Sequence, residues 1–183
     1  MEQPLINIWG ELVALGPISR DRMPLYQRWV NDFAATATLS LPVRPYAVEQ
    51  EAVWYESASG DPSQTPFDIF ERATLRPIGN AALLHIDHQH GTAEYGIFIG
   101  ERDCWDKGYG TEATRLMLDY GFRVVGLHNI MLRVYSDNPR ALRAYQKAGF
   151  AEMGRRREAR RTGRTRVDVI YMDCLASEYL SAG

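Results

Sequence analysis

The sequence predicts a mixed α/β domain built around one central, twisted and partly parallel sheet. Three observations carry that expectation. Short segments of alternating apolar and polar residues mark strands, while segments with apolar residues three and four apart mark helices. Between residues 92 and 148 these segments run strand, glycine-rich loop, helix, strand, helix. Connections of that kind place part of a sheet in parallel register. The expected architecture is about seven strands with about four helices on the faces of the sheet, in a single domain over residues 1–183.

Taken in order, Glu11 to Gly16 reads as the first strand. Ser19 is placed to cap a helix through Asn31, with Leu25 and Trp29 on one side. The proline-containing stretch Leu41 to Tyr46 is a loop, Glu49 to Ser59 a second helix, and Gly60-Asp61-Pro62-Ser63 its end. Phe67 to Ala73 alternates as a half-buried strand does. Pro77 to Asp87 and Thr92 to Gly100 flank His88-Gln89-His90-Gly91, whose composition suits a hairpin loop, so the two are expected to be antiparallel neighbours. A helix then runs to about Phe122 with Ala113, Leu116, Met117 and Tyr120 as its core stripe. His128 to Tyr135 is a strand with Ile130, Leu132 and Val134 on one face. Asn138 caps the next helix, Pro139 takes its first position and Gly149 falls just past its end. The last two strands, Phe150 to Glu158 and Thr165 to Leu175, meet at Thr162-Gly163.

Composition narrows the function. Hydrophobic residues make up 45% and charged residues 24% of the chain, the balance of a packed globular protein. A formal net charge of -2 gives no global attraction for nucleic acid or anionic lipid, so any polyanion contact must be local. Cys104 and Cys174 are far apart and outside any C-x-x-C pair, so neither a disulfide framework nor a zinc site is expected. The opening Met1-Glu2-Gln3-Pro4 lacks the pattern of a signal peptide, and no apolar run approaches the ~18 residues of a membrane span. The expectation is a cytoplasmic protein without a membrane partner.

The chemistry centres on Asp106-Lys107-Gly108-Tyr109-Gly110-Thr111, where a strand runs into a helix. The first turn of a helix leaves about four backbone N–H groups unpaired and carries a partial positive charge. Glycines let a phosphate approach that backbone closely, and Lys107 adds a cation. A tight turn before a helix is the plainer reading of the same pattern. Two other phosphate loops are excluded. No G-x-x-x-x-G-K-[ST] occurs, and a dinucleotide fingerprint would fall early in the fold rather than past mid-chain.

Three segments carry a resemblance: AEYGIFIG (93–100), WDKGYGTEA (105–113) and DNPRALRAYQKAGF (137–150). Together they resemble the GCN5-related N-acetyltransferase (GNAT) family, above all its branch of ribosomal-protein and spermidine acetyltransferases. The likeness extends from about Leu12 to Leu175 and is specific in the second half. It implies acetyl-CoA as co-substrate, no metal, and a homodimer. It places the pyrophosphate loop on Trp105 to Gly110, with the amides of Lys107, Gly108, Tyr109, Gly110 and Thr111. Trp105 stands where the family pattern has Arg or Gln. The strand beside the pantetheine arm falls on Ile97, Phe98 and Ile99, and the strand splayed from it on Ile130 to Tyr135. Asn138, Ala141 and Lys147 fall beside the cofactor, and Tyr145 near the thioester sulfur.

Acetyl transfer to an amine needs the amine neutral, although a lysine-like amine has a pKa of about 10.4 in water. It also needs donors for the oxyanion and a proton or hydrogen bond for the leaving thiolate. Tyr145 is the candidate acid, and a backbone N–H of the Ile97–Ile99 strand the candidate oxyanion donor. Glu94 is the candidate for drawing in the amine and handling its proton. A core tyrosine and a solvated strand glutamate are the structural alternatives. Trp29, His85 and Asp87 are further candidates on the acceptor side. His88 and His90 with His85 read as a solvated turn rather than a metal site. Cys104, with no histidine near it in sequence, is a minor candidate for a covalent thiol route.

Arg155, Arg156, Arg157, Arg160, Arg161, Arg164 and Arg166 form the strongest charge run. It reads as a solvated hairpin or as a contact surface for acidic protein or RNA. Acidic residues would be expected around a polycationic acceptor, so the run argues mildly against spermidine. Three functions follow: an N-acetyltransferase acting on a protein N-terminus, polyamine, antibiotic or small metabolite; a silent coenzyme A-binding scaffold; and an RNA- or ribosome-associated protein.

Overall fold

The structure, a computed structural model, describes residues 3–181. The single-domain expectation also takes in residues 1, 2, 182 and 183, which lie outside the described residues. β1 (Ile8–Trp9), β2 (Val13–Pro17), β3 (Thr65–Glu71), β4 (Pro77–Asp87) and β5 (Thr92–Ile99) form an antiparallel run in chain order. β5 pairs in parallel with β6 (Asn129–Tyr135). β7 (Ala151–Thr162) and β8 (Thr165–Leu175) form a hairpin that joins the sheet through β8, leaving β7 at the edge.

The helices are α1 (Met23–Asn31), α2 (Phe33–Thr36), α3 (Val48–Gly60), α4 (Tyr109–Asp119), α5 (Pro139–Ala148) and α6 (Ala176–Ser181). α4 packs over the sheet against α5, and its Ala113, Met117 and Leu118 join Ile130, Leu132, Val134, Ile170 and Met172 in one buried core. α1 and α3 cover the opposite face around Tyr26, Trp29 and Phe70. The local rules for α5 hold. The Asn138 side chain accepts from the Ala141 amide at 3.1 Å, Pro139 opens the helix, and Gly149 closes it at φ 117.

The mixed, partly parallel sheet is as expected, and the additions have a common cause. The eighth strand, β1, and the short α2 and α6 are each of six residues or fewer, too short to carry a period. Ser19 does not cap α1. A 3₁₀ turn at Arg20–Arg22 intervenes, no side chain caps that turn, and the Ser19 amide instead donates to the Tyr26 hydroxyl. α4 ends at Asp119, and a π-turn over Tyr120–Val125 replaces the expected last helical residues.

β3 departs most from its pattern. Phe67, Asp68, Ile69 and Phe70 are all buried, because helices cover both faces of this interior strand. Asp68, fully buried, accepts from the Tyr26 hydroxyl at 2.7 Å and from the Arg22 guanidinium. Alternation at β3 therefore separates two covered layers, not core from solvent.

The parallel seam is short. β5 and β6 pair only at Thr92 with Asn129, Ala93 with Ile130 and Glu94 with Met131, and beyond Glu94 the strands part. Among the described residues no helix is long and apolar enough to cross a membrane.

Candidate active site

A cavity of about 540 Å³ opens where β5 and β6 part. One end is made by the start of α4. Gly108 precedes that helix at φ 85, in the left-handed region that an L side chain rarely adopts, and no side chain caps it. The first-turn amides of Tyr109, Gly110 and Thr111 thus line the cavity without a side-chain acceptor, which is an anion cradle. The Tyr109 hydroxyl donates to Glu71 at 2.8 Å and the Thr114 hydroxyl to the Gly110 carbonyl at 2.7 Å, pinning the turn.

Trp105 supplies position where the resemblance led one to expect a basic or amide side chain. Its indole N–H donates to the Ile99 carbonyl at 3.0 Å, tying the loop to the end of β5. The Arg140 guanidinium lies 3.7 Å from its ring centroid. A cation is therefore held beside the loop by the flat face of the residue that replaced one.

The middle of the cavity is Gly96, Ile97, Phe98 and Ile99 on β5 facing Asn138, Ala141 and Tyr145 on and before α5. The Tyr145 ring meets Tyr95 edge-on at 6.4 Å and Phe150 at 6.0 Å. Burial pushes its pKa up to about 12, so its hydroxyl keeps its proton. At the other end Glu94 and Arg133 form an ion pair, with the Arg133 Nε donating at 2.8 Å. The segment Thr38–Ser40 roofs this end. It is held by the Ser40–Tyr135 hydroxyl contact and by Arg160, which donates to the Ala37 and Leu39 carbonyls while stacking 3.9 Å from the Tyr135 ring centroid.

Of the residues singled out from sequence, Ile97, Phe98, Ile99, Trp105, Gly108, Tyr109, Gly110, Thr111, Asn138, Ala141, Tyr145, Lys147 and Glu94 all line this one cavity. Lys107 does not line it and is exposed to solvent. Trp29 is core. It is 1% exposed, donates to Glu101 at 2.8 Å, and sits so close to Gly100 that a Cβ there would lie 2.3 Å from the ring. His85 and Asp87 also fall outside. A bulge between Leu84 and Asp87 breaks the strand alternation, leaving His85 exposed at φ 52, and the Asp87 carboxylate caps the hairpin by accepting from Gln89 and His90 amides.

Cys104 touches the cavity, but burial raises its thiol pKa, opposing formation of a thiolate. Among the described residues no three His, Cys, Asp or Glu side chains gather as a metal site would. Sequence reasoning did not place Arg133, Arg140, Thr38 or Ser40 at the cavity, and it read Arg156 only as part of the arginine run. Arg133 and Tyr135 alternate with the core residues of β6, and that period-2 signal could have placed them on the cavity face.

Three comparisons bear on this geometry. The acetyltransferase (GNAT) domain family matches residues 13–151. An uncharacterized N-acetyltransferase p20 of Bacillus licheniformis is 30% identical over 113 residues, 62% of this chain and 63% of that protein. A spermidine N(1)-acetyltransferase of Vibrio cholerae is 34% identical over 113 residues, 62% of this chain and 65% of that protein. The matched part thus spans just under two thirds of each of these relatives. A crystal structure of spermidine N-acetyltransferase from Vibrio cholerae in complex with CoA and spermine superposes with a TM-score of 0.84 at 26% identity, covering 93% of this chain and 99% of that one. The parted parallel seam, the uncapped glycine turn and the match over most of the sequence lead to one statement: the chain belongs to the GNAT acetyltransferase family.

Proposed function

We propose that the chain is an acetyl-CoA-dependent N-acetyltransferase that transfers the acetyl group to a primary amine by direct attack in a ternary complex. The observation that supports it best is the cavity itself, with an uncapped helix start at one end and Tyr145 and the free edge of β5 between that end and an ion-paired carboxylate. In this reading the amides at Gly108–Thr111 hold the diphosphate, and the β5 backbone at Ile97–Ile99 aligns the thioester arm as an added strand. A β5 amide donates to the carbonyl oxygen as negative charge develops there, a contact commonly worth about 10²–10³ in rate. Tyr145 gives a proton or hydrogen bond to the departing sulfur. Glu94, oriented by Arg133, attracts the ammonium form and receives its proton through water. The buried thiol of Cys104 takes no part.

The acceptor is a primary amine, and the names of the relatives make polyamines the first class to assay. Calorimetry with coenzyme A and thiol release from acetyl-CoA across an amine panel test the reading together. Binding plus amine-dependent release is the expected result. Binding without release for every amine favours a silent scaffold, and no binding overturns both. Arg140→Gln should weaken coenzyme A binding about tenfold by removing the cation held on Trp105, measured by the same calorimetry.

A further inference from the structure

The acceptor end of the cavity carries an unbalanced positive charge, and its walls explain why. Glu94 is the one carboxylate among the residues lining that end, and it is shared with Arg133, which donates to it at 2.8 Å. Arg156 lines the same end and, among the described residues, makes no ion pair and no side-chain hydrogen bond. The roof brings nothing to offset it: residues 33–48 contain no Asp or Glu, and their one charged residue is Arg44. Asp173 shares this face of the sheet but is outside the cavity lining and is engaged by the Asn129 side chain at 3.0 Å.

The registers fix where these charges stand. Glu94 pairs with Met131, Arg133 with Tyr171, and Val169 links Tyr135 on one side to Arg156 on the other. Directly paired residues and residues two apart share a face, so Glu94, Arg133, Tyr135 and Arg156 all rise from one surface of the sheet. Arg156 lies four residues along β6 and three strand spacings from Glu94. At about 3.3 Å per residue and about 4.8 Å per strand, that puts their Cα atoms on the order of 20 Å apart before the long side chains reach inward. A polycation threaded there would meet one carboxylate for its first ammonium and then an unpaired guanidinium for its next, which is repulsive in a partly desolvated cleft.

We infer that the acceptor is a primary amine bearing a carboxylate at its far end, with the amine placed at Glu94 and the carboxylate bound by Arg156. This rests on the acetyl-transfer reading and sharpens it, turning it away from polyamines. A guanidinium holds a carboxylate through two parallel N–H donors, so Arg156 selects as well as attracts.

Three six-carbon amines of equal reach test it: 6-aminohexanoate, hexylamine and 1,6-diaminohexane, with spermidine alongside. Thiol release from acetyl-CoA is followed in wild type and in Arg156→Gln, an exposed edge-strand change, with coenzyme A affinity measured for both proteins. The expected result is kcat/KM for 6-aminohexanoate at least about tenfold above hexylamine, with both diamine and spermidine lowest. In Arg156→Gln the ratio of 6-aminohexanoate to hexylamine should collapse towards one with coenzyme A affinity retained. Spermidine or the diamine as best substrate, or a ratio that Arg156→Gln leaves intact, overturns the inference while sparing acetyl transfer. Coenzyme A binding without release from any amine overturns acetyl transfer itself, and the inference with it.

Discussion

Tyr145→Phe should lower kcat for amine-dependent thiol release by about 10² or more while leaving coenzyme A affinity nearly unchanged. The change removes a single hydroxyl, and the ring keeps its edge contacts to Tyr95 and Phe150, so packing should survive. Because burial pushes the phenol pKa up to about 12, the group is protonated throughout the neutral range. The pH profile of wild type should therefore show no limb below pH 9 that disappears in Tyr145→Phe. Steady-state kinetics from pH 6 to 9 on both proteins check this. A loss confined to KM would mean that Tyr145 only shapes the cavity.

The second large effect concerns folding. Arg22→Met removes the cation facing Asp68, which is fully buried and otherwise holds only the Tyr26 hydroxyl. Breaking one side of a buried pair leaves an uncompensated charge, at a cost of about 3–5 kcal/mol. Burial raises the Asp68 pKa from 3.8 to about 6, against the opposing pull of Arg22. An acid with a raised native pKa contributes stability that is fully present below its unfolded value and is lost as pH rises through the native one. Without Arg22 the native value climbs further. The deficit of the variant should be greatest at pH 7.5 and shrink at pH 5, read from urea unfolding midpoints at both. Asp68→Asn in the same background should recover part of the loss. A deficit that ignores pH would place the effect in the lost stacking of the Arg22 guanidinium over the Phe70 ring.

Local rules written into single residues were readable from sequence. Asn138, Pro139 and Gly149 bound α5 as their chemistry requires, and Ile130, Leu132 and Val134 mark the covered face of β6. The glycine turn was legible as an anion site because Gly108 needs its positive φ. What escaped depends on layers and registers. Asp68 sits on a polar phase of β3, and nothing local says that α1 will cover that phase. His85 and Asp87 were misplaced because a bulge between Leu84 and Asp87 leaves His85 exposed, and the Asp87 carboxylate turns to cap the hairpin. Trp29, a good candidate for an acceptor pocket by composition, is instead the residue that Gly100 was shaped to receive. The arginine run was the least legible. Arg155 pairs with Glu152 at 2.9 Å, Arg160 clamps the roof and Arg156 enters the cavity, while Arg157, Arg161, Arg164 and Arg166 stay exposed.

The seam between β5 and β6 has a further consequence. With three residue pairs joining them, the five-strand and three-strand portions of the sheet share a short seam, and the buried core beneath α4 carries the rest of the join. Whatever fills the gap joins the two portions as a staple would. Occupancy then enters the unfolding equilibrium by mass action, so damage in a distant layer can go unnoticed when ligand is plentiful and emerge when it is scarce.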